Sequence, residues 1–347
     1  MGVDRDDIAL PGTGSGGDAE LEAEVGSWLR SWAMRDLAAL SGWEWPRVES
    51  DRDLAHALAG LSTDWDFRGR AAERAKTNFV ERSSMPTGEV LLLDGREVDP
   101  VRAVAAARAL RLVDSQTELE FAPTHMVVLS GTARANVNRA RFAADVLGKV
   151  DARPSVIVGL TAHRGLGQAE QASCPELGLE RTDTEWTTLR DAMAGAFGLG
   201  KPDSVEESAP DVGEPGDRFA RSAAYHWTSG PAPVDLLVVP SPSALVPRPR
   251  PANTADQLRW WTARSVRPTD SSAVLLVTTQ IYTPYQQFVA ARVLRRVAPG
   301  CRLLTIGVTA KTGTVKTREF TVQDYLQDVR SALLAARDLV DDLVTNR

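Results

Sequence analysis

Five short apolar runs set what this chain can fold into: HMVVLSG (125–131), SVIVGLT (155–161), DLLVVPS (235–241), AVLLVTT (273–279) and RLLTIGV (302–308). Each is continuously apolar at its centre rather than alternating, as a strand must be when both of its faces are covered. Between and after them, apolar residues recur at helical spacing over about 135–147, 184–197, 254–265, 284–297 and 322–343. This alternation predicts an α/β domain, a Rossmann-like and mostly parallel sheet covered by helices. Residues 21–120 read differently. There Leu21, Val25, Trp28, Leu29, Trp32 and Leu37 fall near one helical stripe, and 51–61 and 100–110 add two helices, the second opened by Asp-Pro. The expected organisation is a disordered, glycine-rich arm at 1–20, a helical N-terminal region at 21–120, and the Rossmann-like domain at 121–347. A Pro-, Gly- and acid-rich stretch at 201–233 interrupts the domain and is expected to be a long loop or lid.

Composition narrows the class. At 347 residues and 43% hydrophobic content the chain can bury a large core. It holds no apolar run of membrane-spanning length and no leader-like N-terminus, so a cytoplasmic protein without membrane contact is expected. The two cysteines, Cys174 and Cys301, are far apart and lack metal-type spacing, so free thiols and no metal site are expected. A net charge of −6 argues against a broad DNA-binding surface while leaving room for a local basic groove. Basic clusters at Arg292, Arg295 and Arg296, and at Lys311, Lys316 and Arg318, read most simply as solvated faces.

In an open parallel sheet, ligands bind outside the carboxyl ends of the strands. After the first apolar run stand Ser130, Gly131, Thr132, Arg134, Asn136 and Arg139, where a small-residue turn enters a helix and can offer backbone N–H groups to an anion. After the second stand His163, which its position makes an acid/base candidate, then Arg164 and, at the start of the next helix, Glu185. The third leads to Asn253, Thr254 and Gln257, which also read adequately as a helix cap and first turn. The fourth ends in Thr278 and Thr279 and continues through Tyr282 and Tyr285.

Three of these segments, VVLSGTARANVNRARFAADVL, NTADQ and LLVTTQIYTPYQQFVAARVL, resemble the YdcF/SanA-like family of Rossmann-like domains over about residues 124–310. The resemblance implies a pocket at the top of the sheet for an adenosine-type or phosphorylated ligand. It is incomplete: Tyr282 and Tyr285 stand where that family commonly has a histidine and then an arginine, and Gln257 replaces an asparagine. A tyrosine hydroxyl, with an ordinary pKa near 10, is a poor base. The N-terminal run WDFRGRAAERAKTNFVERSSM, with Asp64, Asp66, Arg68, Arg70, Arg74, Lys76 and Asn78, lies outside that likeness. As a whole the chain is similar to the aminoacyl-tRNA-dependent transferases of natural-product (antibiotic) biosynthesis, such as the seryl transferase of the valanimycin pathway.

Together these likenesses imply a group-transfer enzyme that binds an adenosine-containing donor, most sharply an aminoacyltransferase moving an aminoacyl group from charged tRNA to a small amine or hydroxylamine. The expected acid/base residues are His163, Glu185 and Tyr282. The expected ligand contacts are Ser130, Gly131, Arg134, Asn136, Arg164, Asn253, Thr254, Gln257, Thr278, Thr279 and Tyr285. No bound cofactor is required, although S-adenosylmethionine or another adenosine-type ligand suits the same pocket. The alternatives are a YdcF-like hydrolase or nucleotide-binding enzyme acting on a small phosphorylated or adenosyl ligand, and a non-enzymatic ligand-sensing module.

Overall fold

A computed structural model describes residues 8–12, 14, 16–74, 91–93, 96–150, 153–208, 221–240, 251–264 and 267–345. Residues 1–7, 13 and 15 of the 1–20 arm, Lys76 and Asn78, the centre of the 201–233 stretch and the proline-rich loop at 241–250 lie outside the described residues; in the described part of that arm, where disorder was expected, Leu10 is buried and the Ile8 N–H donates to the Ala109 carbonyl at 3.1 Å. In chain order the helices are α1 (Asp18–Arg30), α2 (Trp32–Leu40), α3 (Asp51–Leu61), α4 (Phe67–Arg74), α5 (Pro100–Ala109), α6 (Ala133–Leu147), α7 (Gln168–Ser173), α8 (Glu185–Phe197), α9 (Thr254–Thr262), α10 (Thr283–Leu294) and α11 (Val322–Thr345). The strands are β1 (Leu92–Leu93), β2 (Arg96–Glu97), β3 (His125–Leu129), β4 (Val156–Ala162), β5 (Ser204–Ser208), β6 (Ser222–Trp227), β7 (Val234–Val239), β8 (Ala273–Thr279) and β9 (Arg302–Val308).

The chain divides into two compact units. One contains residues 115–279 and 293–317 and carries a seven-stranded sheet in the order β5-β6-β7-β4-β3-β8-β9. Strands β7, β4, β3, β8 and β9 run parallel, and β6 and β5 extend the sheet antiparallel beyond β7. The α/β expectation is therefore met, and all five apolar runs are the parallel strands. One face of the sheet packs on α6 and α8. Met126 and Val128 of β3, Ile157 of β4, Leu275 and Val277 of β8 and Ile306 of β9 meet Val137, Ala140, Leu189 and Met193 of those helices in one continuous core. Gly159 of β4 is glycine for a packing reason, since a Cβ there would lie 2.4 Å from the Met193 sulfur. The opposite face receives α9, whose entry residue Ala252 and whose Trp260 pack on Ala162 of β4 and Val239 of β7.

Two expectations need correction. The stretch at 201–233 is not simply a loop or lid, because β5 and β6 form within it, with Ser204 opposite His226 and Ser208 opposite Ser222. Strand β5 is exposed along its whole length, so no apolar pattern announces it. The second difference concerns the helix expected to close the Rossmann-like domain. That helix, α11, belongs with the N-terminal helices.

The other unit contains residues 1–114, 280–292 and 318–347. Helix α11 lies against α1, α3 and α5, burying Leu326, Val329, Leu333, Ala336, Leu339, Val340 and Leu343. Trp28 of α1 meets Phe288 of α10 edge to face at 5.0 Å, and Arg292 of α10 bonds Asp342 of α11 at 2.7 Å. The helix starts follow ordinary capping chemistry. Ser50 Oγ accepts from the Asp53 N–H at 3.0 Å, and Asp99 precedes Pro100 at the first helical position of α5. Among the described residues no helix is long and apolar enough to cross a membrane.

Candidate functional site

The connections of the sheet decide where a crevice opens. From β3 the chain moves through β4 to β7, then returns to β8 on the other side of β3. The strand order therefore reverses at β3, and in doubly wound sheets the ground beside such a reversal, at the strands' carboxyl ends, is where ligands sit. Four sequence segments end there: Ser130-Gly131-Thr132 after β3, His163-Arg164 after β4, the start of α8 at Glu185, and Thr278-Thr279 at the end of β8.

Glu185 is the centre of this group. Thr184 occupies the N-cap position of α8, but its side chain makes no cap bond to the helix backbone; its hydroxyl meets that of Thr187 at 2.7 Å. Glu185 does not cap the helix either. Its carboxylate reaches across the sheet edge, where one oxygen accepts from the Ser130 hydroxyl and the other from Nε of Arg164. The backbone is fixed to match: the Glu185 N–H donates to the Arg164 carbonyl at 2.9 Å. The carboxylate is nearly enclosed, with 7% of its side chain exposed against 31% for Arg164. A second carboxylate, Glu170 at the start of α7, stands 3.6 Å from another nitrogen of the same guanidinium. Arg164 therefore bridges two acids, and enclosing Glu185 is tolerable because both of its oxygens are met by donors.

Arg139 closes the reversal itself. It lies on the second turn of α6, 4% exposed, and its Nη1 donates to the carbonyls of Leu129 and Ser130 at 2.8 and 2.5 Å. Its Nε and Nη2 meet the Thr279 hydroxyl at 3.1 and 3.0 Å. The guanidinium thus ties the end of β3 to the end of β8. Gly131 makes room for it, since a Cβ there would stand 3.0 Å from Nη1.

The expected site residues separate into three groups. Ser130, Arg164 and Glu185 come together directly. Gly131, Thr132, Arg134 and His163 stand on the same rim: Arg134 is partly exposed and 3.8 Å from Glu176, and His163 is half-buried at the apex of a tight turn in which the Arg164 N–H donates to the Ala162 carbonyl at 2.8 Å. The partner of the Ser130 hydroxyl is the carboxylate and not this imidazole.

A second group is committed to the protein. Asn136 is fully buried, with both ends of its amide bonded inside the chain. Thr278 is likewise fully buried, and the Thr279 hydroxyl is taken by Arg139. Asn253 accepts from the Asp256 N–H at 3.0 Å while the Asp256 carboxylate accepts from the Asn253 N–H at 3.0 Å, a reciprocal capping box. Gln257 donates to the Ala252 carbonyl at 3.2 Å, and Thr254 is the first residue of α9. These residues were expected to face a ligand. The side-chain bonds of Asn136, Thr279, Asn253 and Gln257 instead hold strand ends and helix starts together, and the buried Thr278 hydroxyl meets no partner among the described residues.

The third group is Tyr282 and Tyr285, which fall in the other compact unit. Tyr282 ends a short 3-10 turn (Gln280–Tyr282) and Tyr285 lies on α10, in the unit that holds the N-terminal helices. The reason lies at Gln280, whose amide donates to the Arg111 carbonyl at 2.7 Å. The polar stretch after β8 is therefore where the chain leaves one unit and enters the other.

A family model described as the Rv3785 N-terminal domain matches residues 12–92. The chain is also similar along most of its length to two mycobacterial proteins, named Uncharacterized protein Rv3785 in Mycobacterium tuberculosis and Uncharacterized protein Mb3814 in Mycobacterium bovis. Each is 28% identical over 327 residues, covering 91% of this chain and 88% of the relative. No solved structure matches. The family match falls wholly in the helical N-terminal part, whereas the mycobacterial likeness spans the sheet and its strand ends as well.

Proposed function

We propose that the carboxyl edge around Ser130, Arg164 and Glu185 is the active site of a group-transfer enzyme that takes an adenosine-containing donor, with aminoacyl-tRNA as the donor tested first. The observation that carries the reading is the bond from the Ser130 hydroxyl to an enclosed carboxylate whose other oxygen is held by Arg164. A hydroxyl that donates inward to a fixed carboxylate keeps its lone pairs for a ligand outside, which is the arrangement a proton relay needs.

The chemistry asks little more. An amine or hydroxylamine nitrogen attacks the ester carbonyl of the donor; the C–N bond forms and the C–O bond to the ribose breaks. The proton lost by the nitrogen passes to Ser130 Oγ as that hydroxyl gives its own to Glu185, and the reverse transfer delivers a proton to the departing ribose oxygen. Arg164 keeps the carboxylate in line throughout, so most of the acceleration comes from positioning. Adenosine as the donor's end rests on the resemblance of the strand-end segments and not on any contact.

The test is release of aminoacyl hydroxamate from a pool of charged tRNA, with hydroxylamine as acceptor and the full chain as catalyst. The expected result is a rate well above the protein-free background that falls about 100-fold in Glu185→Gln and vanishes after ribonuclease treatment. A rate equal to background sinks the transfer reading. Heat of binding with a free nucleotide or S-adenosylmethionine in its place moves the site to small-molecule chemistry.

A further inference from the structure

Ser130 and Glu185 stand 55 residues apart in sequence, on different elements, and something has to hold them at bonding distance. Besides the Ser130–Glu185 bond itself, Asn136 of α6 joins the turn after β3 to the start of α8. Its Oδ1 accepts from the Gly131 N–H at 2.7 Å. Its Nδ2 donates to the Thr188 hydroxyl at 2.8 Å and to the Glu185 carbonyl at 3.3 Å. Thr188 completes the ring by donating to the same Glu185 carbonyl at 2.7 Å. Asn136 is 0% exposed, as is Thr188. An amide is the side chain that meets this demand, because it must accept from one backbone and donate to another along one short axis. Leucine would satisfy neither end, and aspartate only the first.

We propose that Asn136 is the positioning residue of this site: it sets the Ser130 turn against the first turn of α8, so that the Ser130 hydroxyl and the Glu185 carboxylate meet. It touches no reacting atom and acts through its two neighbours. Arg139 secures the same turn from the β8 side, leaving the α8 side to Asn136. The functional meaning of this role rests on the transfer reading, whereas the mechanical role does not.

The experiment uses the full chain and the variants Asn136→Ala and Asn136→Asp, each read by amide hydrogen exchange and by the hydroxamate assay. In Asn136→Ala, exchange rises about tenfold or more at 130–132 and 184–188 together, while β9 stays within about twofold of wild type. In Asn136→Asp the acceptor for Gly131 survives, so protection is kept at 130–132 and lost at 184–188; this variant also serves if the alanine form does not fold. In the assay, kcat per folded molecule, with the folded fraction fixed by circular dichroism, falls about tenfold with the donor KM within about threefold, as for the loss of an interaction that acts only in the transition state. Unchanged exchange at both segments in both variants, or an equal rise throughout including β9, overturns the proposal. If the exchange pattern appears but wild type transfers nothing, the positioning role stands and the transfer reading falls.

Discussion

Gly131 shows how little freedom single residues have at this sheet edge. A methyl group there would approach Cζ and both terminal nitrogens of Arg139 within 3.0 to 3.2 Å, and that guanidinium cannot swing aside without losing its bonds to Leu129, Ser130 and Thr279. Gly131→Ala should therefore cost about 1–2 kcal/mol in urea unfolding, and an unchanged midpoint would mean that Arg139 yields freely. The cysteines make the opposite case, residues whose chemistry the fold suppresses. Burial pushes the Cys301 thiol up to about 11, and burial also raises that of Cys174. A raised thiol pKa leaves little thiolate below it, about one part in a thousand for Cys301 at pH 8. Ellman's reagent should thus find both thiols slow in the native protein at that pH, faster as pH rises, and immediate in guanidinium. Prompt reaction of both at pH 8 without denaturant would contradict the buried placement. Ser130 and Glu185 were both legible as strand-end or helix-start residues; their pairing was not, because linear order says nothing about which of several strand ends a carboxylate will reach.

Among the elements, the parallel strands were the easiest to read, because a strand covered on both faces carries a continuous apolar centre, as β3, β4 and β8 do. Strand β5 escaped because SVEES is exposed at every position; its place is set by pairing with β6, which no local pattern encodes. The start of α9 was legible in both of its senses, and the side chains decide between them. Asn253 and Asp256 satisfy each other's backbone N–H groups, so Asn253→Ala should lower stability by about 1 kcal/mol in urea or thermal unfolding. A fall in donor affinity without that loss of stability would return Asn253 to the ligand.

Across the whole molecule, chain order and compact unit part company. The N-terminal helices, the residues at 280–292 and the last helix form one unit, so the chain enters it three times. This was hidden from the sequence, since an amphipathic helix following the last strand looks like the closing helix of a Rossmann-like domain. A fragment starting at Ser115 would keep α11 while removing α1, α3 and α5, exposing the apolar face that Leu326, Val329, Leu333 and Val340 bury. It should aggregate, or lose helical circular dichroism, at concentrations where the full chain stays dispersed; a monomeric, fully helical fragment would show that α11 does not depend on those partners.

On the transfer reading, the enclosed Glu185 carboxylate, held by Ser130 and Arg164, is a working group and not only a fastening. The most direct measurement is the rate of aminoacyl hydroxamate formation by wild type, Ser130→Ala and Glu185→Gln at a temperature where all three are folded. Wild type should exceed the protein-free rate, with both variants reduced about 100-fold and the donor KM little changed. Full wild-type rates in folded Glu185→Gln would contradict the claim.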